Sequence, residues 1–361
     1  MDQPEVLTEV RGQIGCITLN RPKALNALSL GMVRALYAAL RQWEHDPGVL
    51  AIAIRGSNRE GPFGAFCAGG DIRFLYQAAR EGDPRVEDFF TEEYILNHLT
   101  HHLTKPYIAF MDGVVMGGGM GISQGASLRI VTERTKMAMP ETGIGLFPDV
   151  GGGHFLSRCS DHAGEWLALT GETIAAGDAL ALGLADAVLP SEKLPELWEA
   201  LAVQTFADGA ALQRWIDSYS IAADAGYASD KARIDHYFSL PDVPAIVAAL
   251  EAAEGEWERA TAALLRQRSP LMLHVVLEQI RRARAMTLAE DLRMERDLVR
   301  HCFHLRPGQS ETLEGIRALA VDKDRSPRWN PARIEDVDPQ LVAAFFASPW
   351  PAALHPLAAL V

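Results

Sequence analysis

Up to about residue 200 the chain renews one rhythm, two strand-length runs and then a helix-length run, about every 40–50 residues. Val6 to Leu19 alternates as two short strands that turn at Gly12-Gln13. Ser29 to His45 then sets Val33, Leu36, Tyr37, Leu40 and Trp43 on one helical face, and Asp46-Pro47-Gly48 stops it. Strands are expected at Leu50–Arg55, Tyr107–Met111, Leu128–Val131, Lys136–Met139 and Ala185–Leu189, and a second helix over Val86–Leu103. Beyond residue 200 the strand signals vanish. Val243–Arg266 reads as one long helix, Ser269-Pro270 as the start of the next, and Thr287 with Glu290 as a capping box opening another. The pattern predicts an α/β core of stacked ββα turns over 1–200 and a helical region over 201–361. The rhythm alone does not separate this core from a doubly wound sheet.

Composition narrows the function. A formal charge of −13 argues against a nucleic-acid partner, which calls for a basic face. An anionic small ligand stays open, because a few local cations and N–H groups suffice for it. Cys16, Cys67, Cys159 and Cys302 are scattered without a C-x-x-C, so no zinc site is expected and free thiols in a reducing compartment are. The first ten residues are acidic and lack the basic and apolar regions of a signal peptide. Pro106–Leu128 and Leu341–Val361 are poor in charge, but glycines or prolines interrupt them. These readings predict a cytoplasmic protein with no membrane partner.

The chemistry concentrates in Met139 to Gly153, where Glu141 and Asp149 stand among apolar residues and five glycines. Pro140 and Pro148 stiffen the chain just before each acid. Carboxylates in such surroundings have raised pKa values and suit acid–base work. Two glycine loops, Cys67-Ala68-Gly69-Gly70-Asp71 and Met116-Gly117-Gly118-Gly119, leave backbone N–H groups for an oxyanion. Other motifs compete less well. Gly121-Ile122-Ser123-Gln124-Gly125 matches a serine nucleophile elbow, yet Ser123 falls inside a helix rather than on a strand-to-helix turn. His236 or His274 could complete a triad, with no acid evidently placed to orient either. His98, His101 and His102 share a helix face without metal-spaced carboxylates, and Cys67 lacks a partner base.

Longer segments add a family resemblance. Leu19-Asn-Arg-Pro-Lys-Ala-Leu-Asn-Ala-Leu28, Ala65-Phe-Cys-Ala-Gly-Gly-Asp-Ile-Arg73 and Glu92-Glu-Tyr-Ile-Leu-Asn97 carry it, with Met116–Gly119, Pro140–Gly153 and the tail Asp322-Lys-Asp-Arg-Ser-Pro-Arg-Trp329. The chain resembles the crotonase (enoyl-CoA hydratase/isomerase) superfamily, and within it the hydrolases of short 3-hydroxyacyl-CoA thioesters. That resemblance implies a crotonase-like spiral that binds acyl-CoA, with coenzyme A as part of the substrate and no separate cofactor. It implies an oxyanion hole at Ala68 and Gly118, catalytic Glu141 and Asp149, and substrate contacts at Glu93, Gly70 and Asp71. Arg21, Lys23, Ala24 and Asn26 are implied for coenzyme A. The first of the two hydratase glutamates falls at Gly121, where glycine cannot serve. A dienoyl-CoA isomerase, a serine esterase and a non-catalytic acyl-CoA binder remain as alternatives. The helical region fits a lid or the interface of a homo-oligomer.

Overall fold

The computed structural model describes residues 4–361. Two compact units emerge, and they interleave along the chain. The first takes the chain up to Gly70, then Ile95–Ala138 and Thr173–Ala228. The second takes Asp71–Tyr94, Met139–Glu172 and Ser229–Val361.

The first unit holds the strands. β1 (Val6–Arg11) and β2 (Ile14–Leu19) pair antiparallel, Arg11 opposite Ile14, around Gly12 at φ 59°. β3 (Ala51–Arg55), β4 (Tyr107–Met111), β6 (Leu128–Val131) and β8 (Ala187–Val188) extend the sheet in parallel, in the order β1-β2-β3-β4-β6-β8. β5 (Val114–Met116) and β7 (Lys136–Ala138) form a separate parallel pair. Parallel strands are covered on both faces, so they read as continuous apolar runs. One such face packs Phe63, Phe110 and Trp198 edge to face, with ring centroids 5.6–6.1 Å apart. Trp198 and Leu201 come from the Leu194–Val203 helix, and Leu212 and Ile216 from Gly209–Asp217. These apolar faces tie 201–228 to the sheet, so the division expected near residue 200 is not where the units separate.

The second unit is helical among its described residues. The Ala163–Thr170 helix, all of it buried, packs on Pro270–Ala283, which joins 139–172 to the late helices. Ser269 caps Pro270–Ala283 by accepting the Met272 N–H. Thr287 and Glu290 form the expected capping box. The single helix expected over Val243–Arg266 is two, Val243–Ala252 and Glu256–Gln267. Ala253 turns extended and Gly255 starts the second helix, so the two lie against each other. A helix at Ile72–Glu81, absent from the expected pattern, is opened by Asp71, whose carboxylate accepts the Phe74 N–H at 3.2 Å. The charged tail is anchored, with Arg317 bonded to Glu314, Asp322 and Asp324 at 2.7–2.8 Å. No described helix is long and apolar enough to cross a membrane.

Candidate active site

Glu141 sits at the start of a single 3-10 turn, Glu141–Ile144, that follows Pro140. Gly145 closes the turn at φ 67°, and a Cβ there would come within 2.3 Å of the Glu311 carbonyl. Thr312 donates to the Gly145 carbonyl at 2.6 Å, and Thr142 to that of Leu169 at 3.1 Å. The turn is therefore stapled to two helices, and Glu141 keeps little freedom of its own.

Asp149 lies eight positions on, in a loop where Val150 at φ 57° and Gly151 at φ 86° are both left-handed. A β-branched residue there is strained and persists only where its surroundings impose it. The Tyr94 hydroxyl donates to Asp149 Oδ2 at 2.9 Å. Glu93 comes from the same turn of the Arg85–His102 helix as Tyr94. The three acids are 7 % (Glu141), 6 % (Asp149) and 2 % (Glu93) exposed. Glu141 Oε2 and Glu93 Oε1 have no hydrogen-bond partner among the described residues.

Such burial makes charge costly. Desolvation lifts Glu141 well above the ordinary carboxylate range, and the neighbouring Asp149 lifts it further. Glu93 rises by burial first, then by the charges of Asp149 and Glu141. Asp149 is raised by burial to about 7, with the Tyr94 hydrogen bond pulling the other way. Mutually repelling raised acids, two of them with an oxygen unmatched among the described residues, are suited to holding and exchanging protons. Glu93 is thus part of this cluster rather than a solvated helix residue.

The glycine loops lie in the first unit. The Ala68 N–H donates to the Leu25 carbonyl at 3.0 Å, so it has no free donor for an oxyanion. Gly70, two residues on, donates its N–H to no carbonyl among the described residues, and neither does Gly118. A Cβ on the intervening Gly69 would lie 3.6 Å from the Gly118 nitrogen. The two loops therefore run side by side. Of the two, Gly70 rather than Ala68 has an N–H without a carbonyl partner beside Gly118.

The residues expected for coenzyme A divide. Asn26, fully buried, gives its amide to the Ser57, Ala65 and Phe66 carbonyls at 2.8–3.0 Å and accepts the Arg21 N–H at 2.9 Å. It is a staple between loops and has nothing left for a ligand. Arg21 pairs with Glu5 at 3.1 Å and donates to the Ala27 carbonyl, bracing its own loop. Ala24 donates its N–H to Arg21, while Lys23 is exposed. Asp71 is the helix cap described above.

The competing motifs lose their chemistry. Ser123 is buried within the Gly118–Gln124 helix and donates to the Gly119 carbonyl at 2.8 Å. His274 is bonded to the Ile334 carbonyl at 3.1 Å. His98 stacks on His102, and no group of three potential ligands suits a metal ion among the described residues. All four cysteines are buried thiols, Cys16 pushed up to about 11 by desolvation and Cys302 higher still.

Sequence reasoning missed Tyr94, Asn97, Asp291 and Glu295. Asn97 is wholly buried, and neither amide atom is paired among the described residues. Asp291 and Glu295 fall between buried Leu288, Leu292 and Leu298 on one helix. Acids inside an apolar stripe were the available signal.

Comparison with known proteins finds relatives over nearly the whole chain. A family model for enoyl-CoA hydratase/isomerase matches residues 14–346. The chain is 39% identical to the mitochondrial 3-hydroxyisobutyryl-CoA hydrolase of Rattus norvegicus, over 95% of this chain and 89% of the relative. It is 38% identical to the Homo sapiens protein of that name, over 92% and 86%. Among solved structures, one described as a carnitinyl-CoA dehydratase from Mycobacterium thermoresistibile superposes with a TM-score of 0.87 at 37% identity, covering 96% of this chain and 97% of that one. An enoyl-CoA hydratase from Rhodobacter sphaeroides gives 0.86 at 37% identity, covering 96% and 98%. With the sheet order, the paired glycine loops and the buried acids already in place, a match of this length leaves one assignment: the chain belongs to the enoyl-CoA hydratase/isomerase family, the crotonase superfamily.

Proposed function

We propose that the protein hydrolyses a short 3-hydroxyacyl-CoA thioester, foremost 3-hydroxyisobutyryl-CoA, to the free hydroxy acid and coenzyme A, as in valine breakdown. The observation that carries this reading is the pair Glu141 and Asp149, buried and raised, with a Glu141 oxygen unmatched. Gly121, where a hydratase would need its first glutamate, is a buried residue of the Gly118–Gln124 helix and supplies no acid.

Water adds to the thioester carbonyl, the C–S bond breaks, and the coenzyme A thiolate takes up a proton. Ionised Glu141 serves in one of two ways. It removes the proton from the attacking water, or it attacks the carbonyl itself and the resulting anhydride is hydrolysed. Asp149, which titrates near 7, positions the acyl hydroxyl or the water and tunes Glu141. Glu93 is assigned to the substrate's polar end. The N–H groups of Gly70 and Gly118 are assigned to the oxyanion, where losing one donor costs about 3–4 kcal/mol of barrier. Lys23, exposed on its turn, is assigned to a coenzyme A phosphate.

The test is thiol release from (S)-3-hydroxyisobutyryl-CoA, with acetyl-CoA and crotonyl-CoA alongside. Fast release from the hydroxyacyl ester, abolished in Glu141→Gln, is expected. Near-normal release by that variant overturns the assignment. No release from any ester, with an ultraviolet change on a dienoyl- or enoyl-CoA, assigns isomerase or hydratase chemistry instead.

A further inference from the structure

The loop around Asp149 is held by side chains of two later helices. Gln279, on Pro270–Ala283, donates its amide to the Pro148 carbonyl at 2.7 Å. Glu295, on Leu288–His304, accepts the Gly151 N–H at 2.8 Å and the Gly153 N–H at 3.0 Å, one on each oxygen. Gln279 also reaches Glu295 Oε1 at 3.3 Å. Asp291, one turn earlier, accepts the His154 N–H at 2.7 Å through Oδ2. Between these anchors lies Val150 in its left-handed conformation. The bonds on either side hold the loop in that strained form.

The partners tell the two acids apart. Both are fully buried. Three N–H donors converge on Glu295, which favours its anion. Asp291 Oδ1 has no hydrogen-bond partner among the described residues, and a Cβ on Gly153 would press within 2.2 Å of it. A bare ionised oxygen in that place is costly, whereas a protonated one can donate to the carboxylate one turn away. Arg158 is the cation facing Asp291, but its guanidinium is bonded to the His154 and Met286 carbonyls. Desolvation raises both acids, so the buried pair holds a proton between them rather than two charges.

We propose that Asp291 and Glu295 form an acid–carboxylate pair, protonated at Asp291 Oδ1 and ionised at Glu295, that fixes the Asp149 loop in its working form. The two are positioning residues for the thioester hydrolysis assigned above, and the inference rests on that assignment. The pair also acts through its charge. Glu295 and Asp149 repel as anions, alongside Glu93 and Glu141, so removing the Glu295 charge eases the ionisation of Asp149.

The test compares two isosteric changes. Asp291→Asn keeps an acceptor for His154 and puts an N–H donor where the acid O–H stood. Glu295→Gln turns an NH2 group toward a loop N–H and loses at least one bond. With 3-hydroxyisobutyryl-CoA, Glu295→Gln should lose about 10²-fold in kcat, with KM within about threefold. Its kcat–pH profile should move to lower pH. Asp291→Asn should lose clearly less, under about tenfold in kcat, and keep the parent pH profile. A parent-like rate and profile in Glu295→Gln, or an equal loss in Asp291→Asn, overturns the proposal. If Glu295→Gln does not fold by circular dichroism, Gln279→Met decides. A lower kcat at unchanged KM supports the clamp, and a parent kcat overturns it. If the parent protein releases no thiol, the functional reading fails by itself. The pair is then read from melting temperature against pH, where a flatter slope in Glu295→Gln supports it and an unchanged slope overturns it.

Discussion

Asp112 and Glu141 are both buried carboxylates, one in each unit, and the chain treats them in opposite ways. Asp112 receives the Gly64 N–H and the Thr132 hydroxyl at 2.6 Å and the Arg134 guanidinium. Its negative charge has a partner in each direction that matters. Glu141 has an oxygen without a partner among the described residues, no cation among the groups that shift it, and a second acid, Asp149, beside it. A structural acid is paired until it is quiet, and a reactive one is kept expensive to ionise. Placing costly groups at a working site and offsetting them elsewhere is how a chain exchanges stability for activity.

The largest effect should separate the two acids in function. Glu141→Gln should lower thiol release by about 10³-fold while calorimetric binding of coenzyme A changes little. A parallel loss in Asp112→Asn at equal folded fraction would erase the contrast. Next comes stability. Asp112→Ala strands the Thr132 hydroxyl and the Gly64 N–H, and should cost about 3 kcal/mol in urea unfolding, with normal activity per folded molecule. Arg134 is half exposed and can turn to water, so the loss should fall short of that for a fully enclosed pair.

The pH dependence sharpens the comparison further. Glu93, Glu141 and Asp149 are all raised in the folded chain, Asp149 to about 7 from 3.8. The folded state therefore holds more protons than the unfolded one above pH 4. Stability from these groups is complete below the unfolded pKa and is lost as pH rises toward the folded values. Denaturation midpoints should fall between about pH 4 and 7, and Glu141→Gln should flatten that decline. Smallest is Glu93→Gln, which removes one like charge and should raise the midpoint slightly at neutral pH while weakening turnover. A lowered midpoint would mean that Glu93 has a structural partner after all.

Much of this was legible because it is local chemistry. The parallel strands announce themselves as apolar runs, Ser269 and Thr287 as caps, and Glu141 and Asp149 as acids between prolines and glycines. What escaped depends on packing. Ile72–Glu81 buries Leu75 and Ala78 in its middle and is otherwise largely polar, so its apolar signal is thin. Asp291 and Glu295 have the i, i+4 spacing of an ordinary solvated helix face, and the apolar residues beside them are the one sequence hint that packing encloses them. Asn26 looks like a ligand contact in a glycine-poor loop until three carbonyls converge on it. Ala68 was two residues out of step. Gly69 at φ 102° breaks the extended run between them, so the Ala68 N–H meets the Leu25 carbonyl while that of Gly70 meets no carbonyl among the described residues.

The four thiols bear on how such a chain can be studied. Each is buried, and Cys16 and Cys302 are far from forming thiolate at neutral pH. The thiolate is the form that reacts with disulfide reagents. A chromogenic disulfide added to the native protein should therefore stay nearly colourless until coenzyme A is set free, and the same reagent in denaturant should count four equivalents per chain. The core thus serves as its own blank: product colour reports turnover, and protein colour reports unfolding.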